Sequence, residues 1–144
     1  MIRVVAAVVA GVLAGFVSEA AVEAAGHALF PSPAGLDIAN PDLLAEYLPG
    51  IPLGAKLFLV LSWIAGSFVG GWVATAIAPS ERATAAIAVG VAMLAVGAYG
   101  ISAARYPWWM AALGLIVPVP SAWLAGRSCY QSISRGKNSA TRSS

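Results

Sequence analysis

The chain has 144 residues, 60% hydrophobic and only 10% charged, with a formal net charge of +2, and its mean hydropathy is +0.83. A soluble domain carries about 25% charged residues, so this balance excludes an ordinary water-soluble enzyme and reads as an integral membrane protein. One cysteine, Cys129, has no second thiol to pair with, which argues against the dithiol chemistry of four-span thiol oxidoreductases.

Four apolar runs of spanning length fill most of the chain and leave no room for a second folded domain. The first span is expected over residues 3–26. Every fourth residue from Ala7 reads Ala7, Gly11, Gly15, Glu19, Glu23, His27, which on a helix forms one slowly winding ridge. Half of the ridge is small and admits a close neighbour; the other half carries two carboxylates and the single histidine of the chain. The uncharged run Val4 to Ser18 is shorter than the roughly 20 residues a crossing needs, so the span must include Glu19 and Glu23. A cleavable signal peptide, with Arg3 as its basic start and the Ala20–Ala25 stretch as its cleavage region, is the rival reading; retention is favoured because the apolar stretch is long for a signal core.

Residues 27–54 form the single long loop, Pro-rich and net acidic through Asp37, Asp42 and Glu46. Asn40-Pro41-Asp42 reads as an N-cap, a proline in the first turn and an acid near the helix start. The short helix it predicts runs to Leu48, stops at Pro49-Gly50, and lies on the membrane surface or caps the bundle through Leu43, Leu44, Tyr47 and Leu48.

The second span, 55–78, repeats the small ridge as Ser62, Gly66, Gly70, Ala74, a face for close helix packing in lipid. A turn at Pro79-Ser80-Glu81-Arg82 leads to the third span, 83–104, whose heptad seam is Ala83, Ala86, Gly90, Met93, Gly97, Gly100, Ala104. Arg105-Tyr106-Pro107 turns into the fourth span, 107–126, with Trp108 and Trp109 as interfacial anchors and a kink expected from Pro118 and Pro120. Residues 127–144 form a basic, Ser-rich tail expected to be disordered or to lie on anionic headgroups. With both termini cytoplasmic, six Lys/Arg (Arg3, Arg82, Arg127, Arg135, Lys137, Arg142) lie inside and two (Lys56, Arg105) outside, a positive-inside bias. The basic excess therefore reads as topology and not as nucleic-acid binding.

Depth along these helices gathers polar groups toward the outer face. Glu19, Ser62 and Tyr99 are expected in a buried outer layer, with Glu23 beside them and His27, Lys56 and Arg105 at the rim as ion-pair candidates. The candidate proton- or ion-binding set is Glu19, Glu23, Ser62 and Tyr99. The helix-packing set is Gly11, Gly15, Gly66, Gly70, Gly90 and Gly97. Three roles compete. Glu19 can serve as a proton- or cation-binding carboxylate. Glu23 and His27, one turn apart, can contribute to a metal site, weakly so because no thiol lies nearby and the chain has one histidine. The plainest role is structural: Glu19 accepting hydrogen bonds from Ser62, Tyr99 or Trp63, and Glu23 pairing with Lys56 or Arg105.

The lone Glu19 in the first of four helices loosely resembles the small multidrug resistance family, in which such a glutamate is the coupling site; the long first loop departs from that plan. More of the chain resembles a group of small four-span bacterial inner-membrane proteins without an assigned activity. That likeness is carried by Glu23 with Gly26-His27, by Pro31 to Asp37, and by Gly70-Gly71.

No phosphate loop, nucleophile elbow or haem-type histidine pair is present in the sequence, and no cofactor is expected. The reading is an all-α, integral membrane four-helix bundle with one short interfacial helix, non-enzymatic, in the bacterial inner membrane. Its expected partners are the lipid bilayer and a second copy or another membrane subunit at the glycine faces. A small proton- or cation-coupled transporter using Glu19 is the alternative.

Overall fold

A computed structural model describes residues 1–31, 40–104 and 106–142, with the backbone alone at 41, 44, 104 and 136–142. The helices are α1 (Ile2–Leu29), α2 (Pro41–Tyr47), α3 (Leu53–Ile77), α4 (Arg82–Ala104), α5 (Trp108–Ile116) and α6 (Pro118–Arg142). Single 3₁₀ turns cover Leu48–Gly50 and Pro79–Glu81, and no strand occurs among the described residues. Four helical stretches are long and apolar enough to cross a membrane: Ile2–Leu29, Leu53–Ile77, Pro79–Ala103 and Trp108–Arg135. The protein is an all-α bundle of four membrane-spanning helices with one short helix in the long first loop.

Proline punctuates the chain. The residue before a proline is pushed out of the helical region by the ring, and α1 and α3 both end on such a residue. Phe30, before Pro31, has φ −130° and ψ 75°, and Ala78, before Pro79, has φ −124° and ψ 65°. Val117, before Pro118, keeps helical angles (φ −74°, ψ −34°), so the chain kinks there and continues. Pro118 and Pro120 lack the N–H groups that would reach the carbonyls of Gly114 and Ile116, while Val117 N–H still donates to Leu113 (2.9 Å) and Ser121 N–H to Val117 (3.0 Å). Asn40 caps α2: its Oδ1 accepts from the N–H groups of Asp42 (3.0 Å) and Leu43 (3.5 Å).

Antiparallel α1 and α3 meet through their small ridges, Gly11 on Gly70 and Gly15 on Gly66. Helix α6 packs on the other side of α3 and α4, with Gly71 against the backbone of Ala122, Gly90 against Val119, and Gly126 against Ala86 and Thr75. These contacts occupy the glycine faces within one chain. The core they create is made of small groups: Ala7, Ala74, Ala78, Ala85, Val89 and Met93, all buried. It lies toward the end of the bundle that holds both termini. Arg3 closes that end on α3, its Nε donating to the carbonyl of Ile77 at 2.8 Å, one of the last-turn carbonyls that lack a helical donor.

Two expectations are corrected here. The tail from residue 127 is not unstructured: α6 runs past Gly126 and on to Arg142. The continuation has side-chain support. Cys129 is buried and the Arg82 guanidinium sits 3.7 Å over the Tyr130 ring, while Ser128 and Ser132 satisfy their own hydroxyls on the carbonyls of Leu124 (2.9 Å) and Ser128 (3.1 Å). The heptad seam of α4 also does not pack along its whole length. A Cβ on Gly97 would find its nearest neighbour, the Gly114 carbonyl, at 3.9 Å, and one on Gly100 would meet open space.

Candidate functional site

At the opposite end of the bundle, the last turn of α1 and the first turns of α3 are joined by a reciprocal exchange. Gly26 and Phe30 are one turn apart on α1 and its cap, and Gly54 and Phe58 one turn apart on α3. The Phe30 ring lies on Gly54, and Phe58 lies on Gly26, where a Cβ would come within 3.0 Å of the Phe58 Cβ. Each glycine makes the space the other helix's ring occupies. The two rings stand 6.1 Å apart at 57°, a favourable tilted geometry.

Beside these rings is a cavity of about 490 Å³, whose floor, the deepest lining positions along α1 and α3, is Glu23 and Leu59, and which is also lined by Leu48, Ile51 and Tyr106. His27, Tyr47 and Lys56 also line it. The 3₁₀ turn after α2 builds one wall: Leu48 is 2% exposed, and Ile51 N–H closes the turn on the Leu48 carbonyl at 3.3 Å. Lys56 is drawn to the same turn, its Nζ donating to the carbonyl of Pro49 at 3.4 Å. A space of this size, mostly apolar with a few converging polar groups, has the character of a small-molecule pocket.

Among the described residues, Glu23 is the acidic group of the cavity. Its Oε1 lies 3.3 Å from the hydroxyl of Ser62, which is itself fully buried and also 2.7 Å from the Leu59 carbonyl. Ser62 has one proton to share between these acceptors. Tyr106, between α4 and α5, stands edge-on to Trp63 with ring centroids 5.7 Å apart at 86°. Burial pushes its phenol above the ordinary tyrosine range, and the nearby charge of Glu23 pushes it further. Trp63 reaches this position because α5 has a glycine facing it: a Cβ on Gly114 would lie 3.0 Å from the indole.

The expected polar layer is thus regrouped. Ser62 is bonded to Glu23, where Glu19 was the expected acceptor, because the antiparallel register sets Ser62 nearer the rim than Glu19's own contact. That contact is with Gly66, whose added Cβ would meet the Glu19 Cγ at 3.0 Å. Glu19 is half-buried between α1 and α3, one turn below Glu23 and outside the cavity lining. Tyr99 does not belong to the layer: it is 78% exposed. It sits two residues past Gly97, about 200° around the helix from the line of the α4 seam. Arg105 and Asp37 fall outside the described residues. Lys56 is turned to the Pro49 carbonyl, and His27 is exposed at the cavity mouth. Among the described residues, no group of three or more His, Cys, Asp or Glu side chains is placed to hold a metal ion.

The cavity's aromatic walls were not part of the sequence-derived site. The signal available was the pair of Gly-x-x-x-Phe spacings, Gly26–Phe30 and Gly54–Phe58. No protein-family model, curated protein or solved structure matches the chain.

Proposed function

We propose that this multi-pass membrane protein binds a small solute in the cavity between α1, α3 and the turn after α2, with Glu23 as its acidic anchor, and that its role is binding or carriage and not catalysis. The observation that carries the reading is the Glu23 carboxylate, held by buried Ser62 and facing a cavity of about 490 Å³. The charge bias supports a bacterial inner-membrane orientation with both termini cytoplasmic, so that the cavity opens outward. Binding from one side fits the rest of the bundle. Below Glu19 the α1–α3 contact is backbone against backbone at Gly15–Gly66 and Gly11–Gly70, which leaves no room for a solute between those helices.

The test is a fragment screen by thermal shift on the full chain in maltoside micelles, wild type against Leu59→Trp, which fills the cavity floor. Fragments that raise the melting temperature of the wild type and not of the variant support the reading. A screen in which every stabilising fragment acts equally on both would overturn it.

A second reading is favoured by one placement: Glu19 lies on the same ridge as Glu23, one turn deeper. Protonation or cation binding passing from Glu23 to Glu19 would make the protein a small coupled carrier. Proteoliposome flux of protons and monovalent cations that is present in wild type and absent in Glu19→Gln is the result this reading requires. Such a carrier must part the glycine contacts during its cycle.

A further inference from the structure

The charges lining the cavity are ordered by depth. Among the described residues that line it, one acid, Glu23, lies at the floor beside buried Ser62, and Lys56 and His27 lie toward the rim. His27 is one helical turn nearer the end of α1, roughly 6 Å along the axis. Lys56 is six residues before Ser62 on α3, roughly 9 Å toward the rim, and its ammonium is leashed to the rim turn through the Pro49 carbonyl. Between the two levels α3 contributes the apolar side chains of Phe58 and Leu59 to the lining, and Phe30, seated on Gly54, lies at the rim.

Unpaired charge is costly away from solvent, and Glu23, half-buried beside the fully buried Ser62, is the charge this applies to most. A simple cation seated on Glu23 leaves Lys56 facing it across the cavity, and a simple anion at Lys56 faces Glu23. A ligand carrying both charges and an apolar body satisfies the two levels together, and its apolar part gains contact with Phe58 and Leu59. We propose that the cavity takes a free apolar zwitterion of the α-amino-acid type, ammonium inward on Glu23, carboxylate outward on Lys56 and His27, and apolar side chain against Phe58 and Leu59. This deepens the solute-binding reading and rests on it.

The same two charges occur in the ethanolamine phosphate head of a membrane lipid, but in the reverse order. In a bilayer the acyl chains lie deepest, the phosphate above them, and the ammonium outermost. The cavity presents its acid deepest and its bases outermost, which matches a free solute entering ammonium first.

The experiment is calorimetric titration of the full chain in dodecyl maltoside micelles with three probes that share a phenyl body: L-phenylalanine, phenethylamine and 3-phenylpropanoate. The expected result is that L-phenylalanine binds at least tenfold tighter than either single-charge probe. Glu23→Gln should reduce it to the level of 3-phenylpropanoate, and Lys56→Met to the level of phenethylamine, with helicity unchanged by circular dichroism in both variants. Phenethylamine binding as tightly as L-phenylalanine overturns the proposal in favour of a cation site, and it does so on wild-type protein alone. If none of the three binds while fragments still distinguish wild type from Leu59→Trp, the zwitterion is overturned and the cavity reading stands. If those fragments fail too, both fall. Added phosphatidylethanolamine that displaces L-phenylalanine, with displacement lost in Glu23→Gln, overturns the free-solute assignment in favour of the lipid head.

Discussion

The carbonyl oxygen of Gly70 lies 2.6 Å from where a Cβ on Gly11 would stand, and the carbonyl oxygen of Gly11 lies 2.7 Å from where a Cβ on Gly70 would stand. The two helices touch backbone to backbone at this point, and the contact repeats one turn on at Gly15 and Gly66, at 2.8 and 3.0 Å. In lipid, where burial of apolar surface gives helices no net drive to associate, such close approach supplies the van der Waals contact that holds them. It also fixes the register that brings Glu23 to Ser62 and Phe58 to Gly26.

Gly70→Ala is therefore expected to destabilise the bundle, because the atom in the way is backbone and neither helix can yield locally. Overpacking of this kind costs about 1–3 kcal/mol. A lowered thermal midpoint in micelles checks it, and the same variant should loosen the rim, weakening any ligand of the cavity in parallel. An unchanged midpoint would mean that α1 and α3 do not cross at these glycines.

The outer part of the α4 seam gives the opposite expectation. Gly97 and Gly100 have room for a methyl group, and alanine is favoured over glycine in a helix interior by up to about 1 kcal/mol. Gly97→Ala and Gly100→Ala should leave the midpoint unchanged or raise it. Gly90→Ala, on the same seam but with its new Cβ 2.8 Å from the Val119 Cα, should lower it. A loss of stability at Gly100 comparable to that at Gly90 would contradict the arrangement.

The helical continuation of α6 can be read chemically through Cys129, which is 2% exposed. In the folded protein its reaction with a maleimide must wait for local opening. Labelling is expected to be on the order of tenfold or more slower than at an engineered Ser132→Cys in a Cys129→Ala background, since Ser132 is exposed. Equal rates at the two sites would show a segment that is not packed as described.

Much of this was legible in the residues themselves. Spans, turns and the α2 cap follow from apolar run length, prolines and Asn40, all local signals. The four-residue ridges of α1 and α3 announced faces small enough to meet. What the chain could not announce was the phase between helices. Tyr99 shares its depth with the site but not its direction, because only the Ala86–Gly90–Met93 part of the α4 seam is gripped by neighbours. Ser62 bonds to Glu23 and not to Glu19 because the glycine contacts set the stagger of α3 on α1. The tail looked unstructured because its composition is polar, yet the burial of Cys129 and Arg82 reaching over from α4 to Tyr130 supply what composition lacks.

Tyr106 offers a titration that reports on the site directly. Its phenol is held above the ordinary range first by burial and second by the charge of Glu23, so the folded state favours the neutral form. The sign follows from linkage: an acid whose folded pKa is raised contributes stability that is complete below the unfolded tyrosine value, about 10, and is lost as pH rises through that value toward the folded one. Ultraviolet difference spectra should accordingly show a late-ionising tyrosine that is absent in Tyr106→Phe. In Glu23→Gln the late component should move to lower pH without reaching the ordinary value, because burial, the larger cause, remains. A late component untouched by Glu23→Gln would mean that the carboxylate does not face the phenol across the cavity, and the acidic anchor would have to be sought elsewhere.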